Sequence, residues 1–417
     1  MKCSHKDLYK FLIFISVLIG IVATTELKLL KAVGDNLCQT ADPFSEANSI
    51  RGSEYLFEKG FFRTYGLADI AYGNKFPDNG VKKNPDRPSI YTHYPPGPEW
   101  LGYLNFKLLG HGSIHKLRYT PMLLSLLALA IFGYFMFLTE GLYVSVVMTT
   151  LVCLVPTYWN MVLGLHAQGN ALSLLLIMFA LLAYAVKFGK YDRGYRYLFL
   201  SLGFLQGWLS FDYFFLVALL PVPFLLLYRN VPLICLIKKN SVSSTVFAPG
   251  LGFMIAHAAH FLQNILYFGG ISGAFADMFK AAHKRSIGET LDSGMAFSRI
   301  KVIAHYFVDL PYRRAFFGYY LLGVLLVFFL CIITVVMINK MYFKQSVIKL
   351  ENEVIAVAAS FIISNAWIIA MIQHAGVHQH YVPRHYYLFY LIVIFACCLT
   401  IKQMLNIIQQ TLSQRHQ

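Results

Sequence analysis

Long apolar runs, separated by short polar or basic segments, make up most of the chain. A helix needs about 20 apolar residues to cross a bilayer, and ten of the runs approach this length. They lie near residues 11–26, 119–138, 141–157, 169–187, 196–210, 212–228, 246–267, 316–338, 353–372 and 385–402. We therefore predict an all-α polytopic membrane protein of about ten transmembrane helices, with residues 1–417 forming a single transmembrane domain.

The composition is that of a membrane protein, and the position of the basic residues along the chain accounts for its positive charge. Charged residues make up 13% of the chain, against about 25% in soluble domains. The net charge of +15 comes from short basic clusters between apolar runs, and basic loops stay on the cytoplasmic side. The charge thus predicts topology and contact with anionic lipids, not nucleic acid. The clusters are Lys2, Lys6 and Lys10; Lys187, Lys190, Arg193 and Arg196; Arg229, Lys238 and Lys239; and Lys340, Lys344 and Lys349.

The basic clusters fall on one side when the ten runs alternate in direction, which places both termini in the cytoplasm. The alternation depends on residues 196–228, an apolar stretch too long for one helix and short for two. We predict a tight turn at 207–213, around Asp212, with a short span on either side. The outer face then receives four segments, which we expect to converge on one cavity: 27–118, 158–168, 268–315 and 373–384.

The first apolar run allows two interpretations. Basic residues precede a short apolar core, as in a secretory signal peptide, but no convincing small-x-small cleavage site follows it. We predict a retained membrane anchor. The next loop, 27–118, lies outside the membrane in either case.

The first long loop begins with a pair of carboxylates, Asp42 and Glu46. They stand four residues apart at the start of a predicted amphipathic helix, Ala47 to Lys59, which ends at Gly60, so both would lie on one helix face. Asp42 followed by a proline is also a good helix start, with Asp at the N-cap position. The spacing alone favours capping, and the neighbouring motif favours a functional role.

That neighbouring motif is Tyr91-Thr92-His93-Tyr94-Pro95-Pro96-Gly97-Pro98-Glu99-Trp100. Its consecutive prolines stiffen the backbone, and His93 and Tyr94 are candidates to line a pocket for a sugar or an isoprenoid. The alternative is a structured loop with interfacial aromatic residues ahead of a membrane helix.

With these two motifs in order, the chain resembles the C-type glycosyltransferases. These polytopic enzymes use polyprenyl-phosphate sugars; protein mannosyltransferases and the aminoarabinose transferase of lipid A are examples. Asp42 and Glu46, the helix ending near Gly60, and the Pro-Pro turn stand where the family has its acidic pair, its loop helix and its turn. Two features of this chain depart from the family. The two acids of the family are adjacent in sequence, whereas Asp42 and Glu46 are separated by three residues, and many members have an aspartate where this chain has Gln168-Gly169-Asn170.

The resemblance implies displacement at the anomeric carbon of a lipid-phosphate sugar. Such a reaction needs a base for the acceptor proton and cations for the phosphate leaving group. Asp42 is the first candidate for the base and Glu46 the second. Arg384, with His380 or His93, is the candidate phosphate clamp, because a guanidinium binds phosphate through two parallel hydrogen bonds.

The second long loop, 268–315, carries a basic cluster on the predicted outer face. One interpretation is an interfacial helix that touches phospholipid head groups, and the other is binding of the donor phosphate. The cluster consists of Lys280, His283, Lys284, Arg285, Arg313 and Arg314.

Metal and redox motifs are weak in this sequence. No pair of its seven cysteines has CxxC spacing, which argues against a zinc site or a disulfide framework. The spacings His257/His260 and His378/His380 suit metal ligands, but no matched carboxylate set accompanies them. We predict no cofactor, with a divalent metal as the alternative.

Two acids near span ends are candidates for a functional role, since acids within a membrane are functional by default. Asp212 and Glu140 stand at predicted span ends, where we expect water to reach them. We therefore assign neither of them a role.

The sequence thus predicts a membrane transferase that moves a sugar from a polyprenyl-phosphate donor to a lipid, glycan or protein acceptor. We expect it in a bacterial inner membrane, with the site facing the periplasm or exterior. The rival class is a transporter or flippase, which typically has interrupted helices and ionisable groups at mid-membrane. The unusual residues of this chain lie in outer loops, which favours the enzyme. A third alternative is an inactive relative that serves as a scaffold.

Overall fold

The computed structural model describes residues 5–38, 43–73, 90–154, 158–159, 163–165, 167–228, 240–286, 333, 337, 351–377 and 382–415. Asp42, His380 and nearly all of the predicted span 316–338 lie outside the described residues. Within the described part, one isolated bridge between Asp69 and Ile90 is the only β pairing, and helices form the rest of the regular structure. The all-α prediction is confirmed for these residues.

The longer helices follow the predicted apolar runs closely. Short helical turns also occur at Phe61–Thr64, Ile114–Leu117 and Val382–His385. The helices are α1 (His5–Val33), α2 (Pro43–Lys59), α3 (Gly97–Leu109), α4 (Tyr119–Glu140), α5 (Leu142–Leu154), α6 (Ala167–Phe188), α7 (Arg193–Leu209), α8 (Phe214–Leu219), α9 (Pro221–Tyr228), α10 (Asn240–Val246), α11 (Ala248–Phe268), α12 (Ile271–Ser286), α13 (Glu351–Ala370), α14 (Ile372–Val377) and α15 (Tyr387–Arg415).

Five helices of the described part are long and apolar enough to cross a membrane by length and composition. Shorter apolar helices lie at Leu142–Leu154 and Phe214–Tyr228. The chain is therefore helical, with several candidate membrane spans. The five are His5–Val33, Ile114–Glu140, Gly169–Phe188, Glu351–Ala370 and Tyr387–Gln409.

Helix α6 forms the centre of the described bundle. Every residue from Gly169 to Ala183 is buried, and the apolar ones belong to the largest hydrophobic cluster of the described residues. Its sequence is apolar on all sides, which is the pattern of a helix surrounded by other helices.

One carboxylate joins four helices at one end of the bundle. Glu140 of α4 accepts hydrogen bonds from Lys187 of α6 at 2.7 Å, from Lys402 of α15 at 2.8 Å and from Tyr228 of α9 at 2.9 Å. Glu140 is buried, so the expectation that water reaches it is wrong. Three partners replace the water that a lone acid at a helix end would need. These contacts place the ends of four helices together, as alternating directions require.

The predicted turn around Asp212 is confirmed. Helix α7 ends at Leu209 and α8 begins at Phe214. Asp212 itself is only 1% exposed, so the expectation that water reaches it is also wrong. The turn lies against the backbone of the first long loop, where a Cβ on Gly97 would stand 2.2 Å from the carbonyl oxygen of Trp208. Only glycine permits this approach, and it brings the two segments together.

Helices α7 and α11 cross in backbone contact. A Cβ on Gly203 would lie 2.0 Å from the Pro249 carbonyl oxygen, and one on Gly252 would lie 2.0 Å from the Leu200 carbonyl oxygen. Small residues at such crossings let helices approach closely, which is a common packing mode between membrane helices. The crossing fixes α11, which carries one wall of the site described below.

Helix α2 confirms the predicted helix end but not the predicted amphipathic character. It ends at Lys59, and Gly60 follows with φ of 93°, a value that favours glycine. All residues from Glu46 to Leu56 are buried. Polar as well as apolar side chains of α2 are therefore covered. Part of this cover comes from α3, where a Cβ on Gly102 would meet the Ser53 side chain.

Candidate functional site

A cavity of about 260 Å³ lies where the first long loop meets α11 and α12. It is slightly smaller than the pockets of about 300–1,000 Å³ that hold drug-sized ligands. Its polar lining is concentrated on one loop and two helices, and aromatic rings cover much of the rest. The polar residues are Thr92, His93, His257, His260, Asn264 and Arg285, and the aromatic ones are Phe211, Phe214, Phe253 and Phe261.

Thr92 fixes the loop to both helices. Its carbonyl oxygen accepts hydrogen bonds from Asn264 Nδ2 at 2.9 Å and from His260 Nε2 at 2.9 Å. A carbonyl oxygen only accepts, so His260 carries its proton on Nε2. The Thr92 hydroxyl donates to Asp277 Oδ2 at 2.6 Å. Three bonds to two helices hold the Tyr91–Pro96 turn in one position.

His93 projects into the cavity beside Asp277. The distance from His93 Nε2 to Asp277 Oδ1 is 3.7 Å. Burial, followed by the positive charge of Arg285, lowers the pKa of His93 below its ordinary value. At neutral pH the ring is therefore uncharged and offers one N–H donor and one acceptor nitrogen.

Arg285 supplies the fixed positive charge of the cavity. Its guanidinium carbon lies 4.8 Å from the centre of the Phe211 ring, and its Nη2 donates to the Tyr91 hydroxyl at 3.3 Å. Cation–π stacking and a hydrogen bond on one edge leave the other guanidinium donors available to a ligand. Arg285 comes from the basic cluster of the second long loop, which is a candidate from the sequence for contact with lipid head groups or with the donor phosphate.

Of the site residues predicted from the sequence, only some lie at the cavity. His93 lines the cavity, and Tyr94 stacks on Phe211 behind it, with ring centres 5.7 Å apart. Arg384 is only 1% exposed, lies within electrostatic range of Tyr213 and His385, and is not among the residues that line the cavity. Its role as a phosphate clamp stays a prediction. Asp42 and His380 lie outside the described residues.

Glu46 lies in a separate, closed environment. Its carboxylate accepts hydrogen bonds from Arg118 Nη1, from the Cys38 amide and from the Leu165 amide. Both members of the Glu46–Arg118 pair have fully buried side chains. This is the geometry of a structural ion pair, and the role of Glu46 as alternative base stays a prediction.

The predicted convergence of outer segments is confirmed in part. Segments 27–118 and 268–315 both line the cavity, and Met371 adds a contact just ahead of 373–384. In segment 158–168, Leu163 and Leu165 instead reach the ion pair, because the Leu163 carbonyl oxygen accepts from Arg118 and the Leu165 amide donates to Glu46. Their shared end of the bundle is opposite the Glu140 cluster.

Helix α12 has features that suit both interpretations of the second loop, and both stay predictions. Its apolar side chains at Ile271, Phe275 and Phe279 are exposed, as expected of a helix at a membrane interface. Asp277 and Arg285 meanwhile contact the first loop. One helix therefore has an exposed apolar face and a face toward the cavity.

Sequence reasoning missed Asp277, Asn264 and Thr92. Asp277 is the only acid of α12, and an isolated carboxylate among basic residues is a signal that was open to detection. Asn264 lies in an apolar helix, where a buried amide needs a hydrogen-bond partner. Thr92 acts mainly through its backbone carbonyl, which leaves no trace in the sequence.

Glu99 is a further buried acid, on α3 beside the turn. Burial raises its pKa from 4.5 to about 7. The folded state therefore binds more protons than the unfolded state between these values, so stability falls as pH rises from about 4.5 to 7. The full loss of unfolding free energy over this pH range is about 3 kcal/mol.

We expect Glu99→Gln to raise the melting temperature at pH 8 and to leave it unchanged at pH 4, measured by thermal unfolding in detergent. An equal shift at both pH values would contradict the assignment.

Comparison with known proteins adds no relative to this picture. No protein-family model matches the chain, and no curated protein matches it either. The likeness to C-type glycosyltransferases therefore rests on the loop motifs, and the functional conclusion rests on those motifs together with the cavity.

Proposed function

We propose that the protein is a polytopic membrane glycosyltransferase that uses a polyprenyl-phosphate sugar as donor. About ten spans would carry it through a bacterial inner membrane, with both long loops on the outer face. The acceptor would be a lipid, a glycan or a protein. The sequence order of the acidic pair, the loop helix and the Pro-Pro turn supports this assignment.

The cavity is the observation that carries the proposal. One end holds the Arg285 guanidinium, and the uncharged ring of His93 stands beside it. The walls are formed by Phe211, Phe253 and Phe261. A phosphate group suits a guanidinium that offers parallel donors, and aromatic rings suit an isoprenoid or a sugar face. The exposed apolar face of α12 supports an approach of the ligand from the lipid.

The reaction would form a bond from the acceptor oxygen to the anomeric carbon and break the bond from that carbon to the donor phosphate. The acceptor proton would pass to a carboxylate, for which Asp42 is the first candidate and Glu46 the second. The departing polyprenyl phosphate would keep its negative charge beside Arg285, where a preorganised cation stabilises it.

Replacing Arg285 is the direct test of the cavity. We expect Arg285→Ala to weaken binding of a short-chain polyprenyl phosphate by at least about tenfold, since a hydrogen bond to a charged group contributes about 1.5–3 kcal/mol. Arg285→Lys should give an intermediate loss, because lysine keeps the charge without the planar fork. Binding is measured by tryptophan fluorescence of the full-length protein in detergent.

The matched control is Lys284→Ala, which removes the neighbouring charge on the same helix. It should bind the probe like wild type, and the corresponding polyprenol without phosphate should bind equally weakly to all variants. Equal affinity of Arg285→Ala and wild type would contradict the phosphate site. Movement of the probe across vesicles without sugar transfer would favour the transporter.

A further inference from the structure

A second cluster of ligand-type side chains lies on the first long loop, separate from the cavity. Glu54 and Glu58 of α2 and His111, which follows α3, place one oxygen or nitrogen each within 4.8 Å of the others. The glutamates are four residues apart, so they stand on the same face of α2. The histidine reaches them from a different segment of the chain.

The surroundings hold each of these side chains in place. The His111 ring stacks on Phe57 with centres 4.9 Å apart and planes 4° from parallel, and Phe106 meets it edge-on at 4.8 Å. The Glu54 side chain is 2% exposed. An imidazole between two aromatic rings has few orientations open to it, so its nitrogen is preorganised toward Glu54.

A tyrosine orients the third ligand. Tyr72 donates its hydroxyl proton to Glu58 Oε2 at 2.7 Å. Arg51 in turn holds this segment, because its Nη1 donates to the carbonyl oxygens of Tyr72 and Gly73. Such outer hydrogen bonds to a ligating carboxylate are typical of metal sites.

We propose that Glu54, Glu58 and His111 bind one divalent transition-metal ion of the zinc or manganese type. A nitrogen ligand beside two carboxylates favours such ions over calcium and magnesium, which prefer oxygen alone. His111 Nε2 lies 3.6 Å from Glu54 Oε1, close to the separation of about 3.3 Å between two ligands of a tetrahedral ion with bonds of about 2.0 Å. A small inward movement completes the geometry.

The site has an entry path and an open position. Glu58 is exposed and His111 is half-buried, whereas Glu54 forms the buried floor. An ion enters from the solvent side, and water fills the positions that the three side chains leave open. Bound there, the ion joins the end of α2 to the segment after α3 and stiffens the loop that carries the Tyr91–Pro96 turn.

The test is metal binding by the full-length protein in detergent after removal of metals with EDTA. We expect one tightly bound Zn²⁺ or Mn²⁺ per chain by equilibrium dialysis and elemental analysis, together with a higher melting temperature. Glu54→Gln and His111→Ala should each weaken binding by at least about 100-fold. Tyr72→Phe, which removes only the outer hydrogen bond, should weaken it by about 10–100-fold.

His115→Ala is the matched control, since it removes a histidine four positions along the same segment and should leave the affinity unchanged. Calcium and magnesium should not compete at equal concentration. No tight site in wild type, or equal affinity in wild type, Glu54→Gln and Tyr72→Phe, would overturn the proposal. In that case His111 serves only as an ion-pair partner of Glu54. This outcome is independent of donor binding at Arg285.

Discussion

Arg118→Met is expected to destabilise the protein by about 3–5 kcal/mol, because it leaves the buried carboxylate of Glu46 without its counter-charge. The guanidinium also donates to the carbonyl oxygens of Leu163 and Asn36. Its loss therefore removes the hydrogen bonds to both carbonyl oxygens together with the ion pair. Thermal or denaturant unfolding in detergent, with the unfolding free energies compared at one pH, measures the effect.

The double variant Arg118→Met/Glu46→Gln is the matched control. The neutral amide removes the uncompensated charge while its oxygen still accepts from the Leu165 amide, so we expect the double variant to be more stable than Arg118→Met alone. A loss below about 1 kcal/mol in Arg118→Met would contradict the structural pair.

The same measurement separates two roles of Glu46. If Glu46 serves only the ion pair, Glu46→Gln lowers the melting temperature, and any loss of sugar transfer follows the loss of folded protein. If it is also the base, transfer falls by more than the loss of folded protein explains. Activity alone does not distinguish these cases, because the carboxylate is enclosed by Arg118, Cys38 and Leu165.

Helix positions were predictable because local rules determine them. The apolar runs anticipated α4, α6, α11 and α15, and the glycine after Lys59 anticipated the end of α2. The turn between α7 and α8 followed from one polar residue, Asp212, in an apolar stretch. Each of these signals lies within a few residues of the feature that it predicts.

Contacts between distant segments were not predictable in the same way. Thr92 and Asp277 form a hydrogen bond across 185 residues, and nothing beside either residue names the other. The helix Gly97–Leu109 was missed because its glycines and its polar surroundings indicated a loop. Burial of Asp212 and Glu140 was missed because a span end meets water in some folds and other helices in others.

The sequence also could not show which of the predicted cationic side chains reaches the cavity. Arg285 and Arg384 both stand in basic, aromatic segments on the same predicted side. Arg285 reaches the cavity from the face of α12 that packs on the first loop, whereas Arg384 is buried ahead of α15. Which of two arginines meets a ligand depends on the packing of the helix that carries it.

Asp42→Asn is expected to reduce sugar transfer by about 10²–10⁴-fold, the usual contribution of a general base. The motive is the position of Asp42 at the head of the loop helix, ahead of the Pro-Pro turn, in the order of the C-type glycosyltransferases. Helix α2 begins at Pro43, which suits the capping interpretation equally well. Asparagine is as good an N-cap as aspartate, so capping alone predicts near-normal transfer and an unchanged melting temperature.

Two comparisons make this prediction decisive. Asp42→Asn should keep the wild-type melting temperature and the wild-type affinity for polyprenyl phosphate, because Arg285 and His93 remain in place, and only transfer to the acceptor should fall. Transfer is followed by mass spectrometry of the glycans made in cells that carry the variant as their sole copy. Asp42→Ala is the control for capping, since it costs the helix about 1 kcal/mol and should lower the melting temperature where Asp42→Asn does not. If Asp42→Asn and Glu46→Gln both transfer sugar at the wild-type rate, neither carboxylate is the base, and the catalytic interpretation of this acidic pair is wrong.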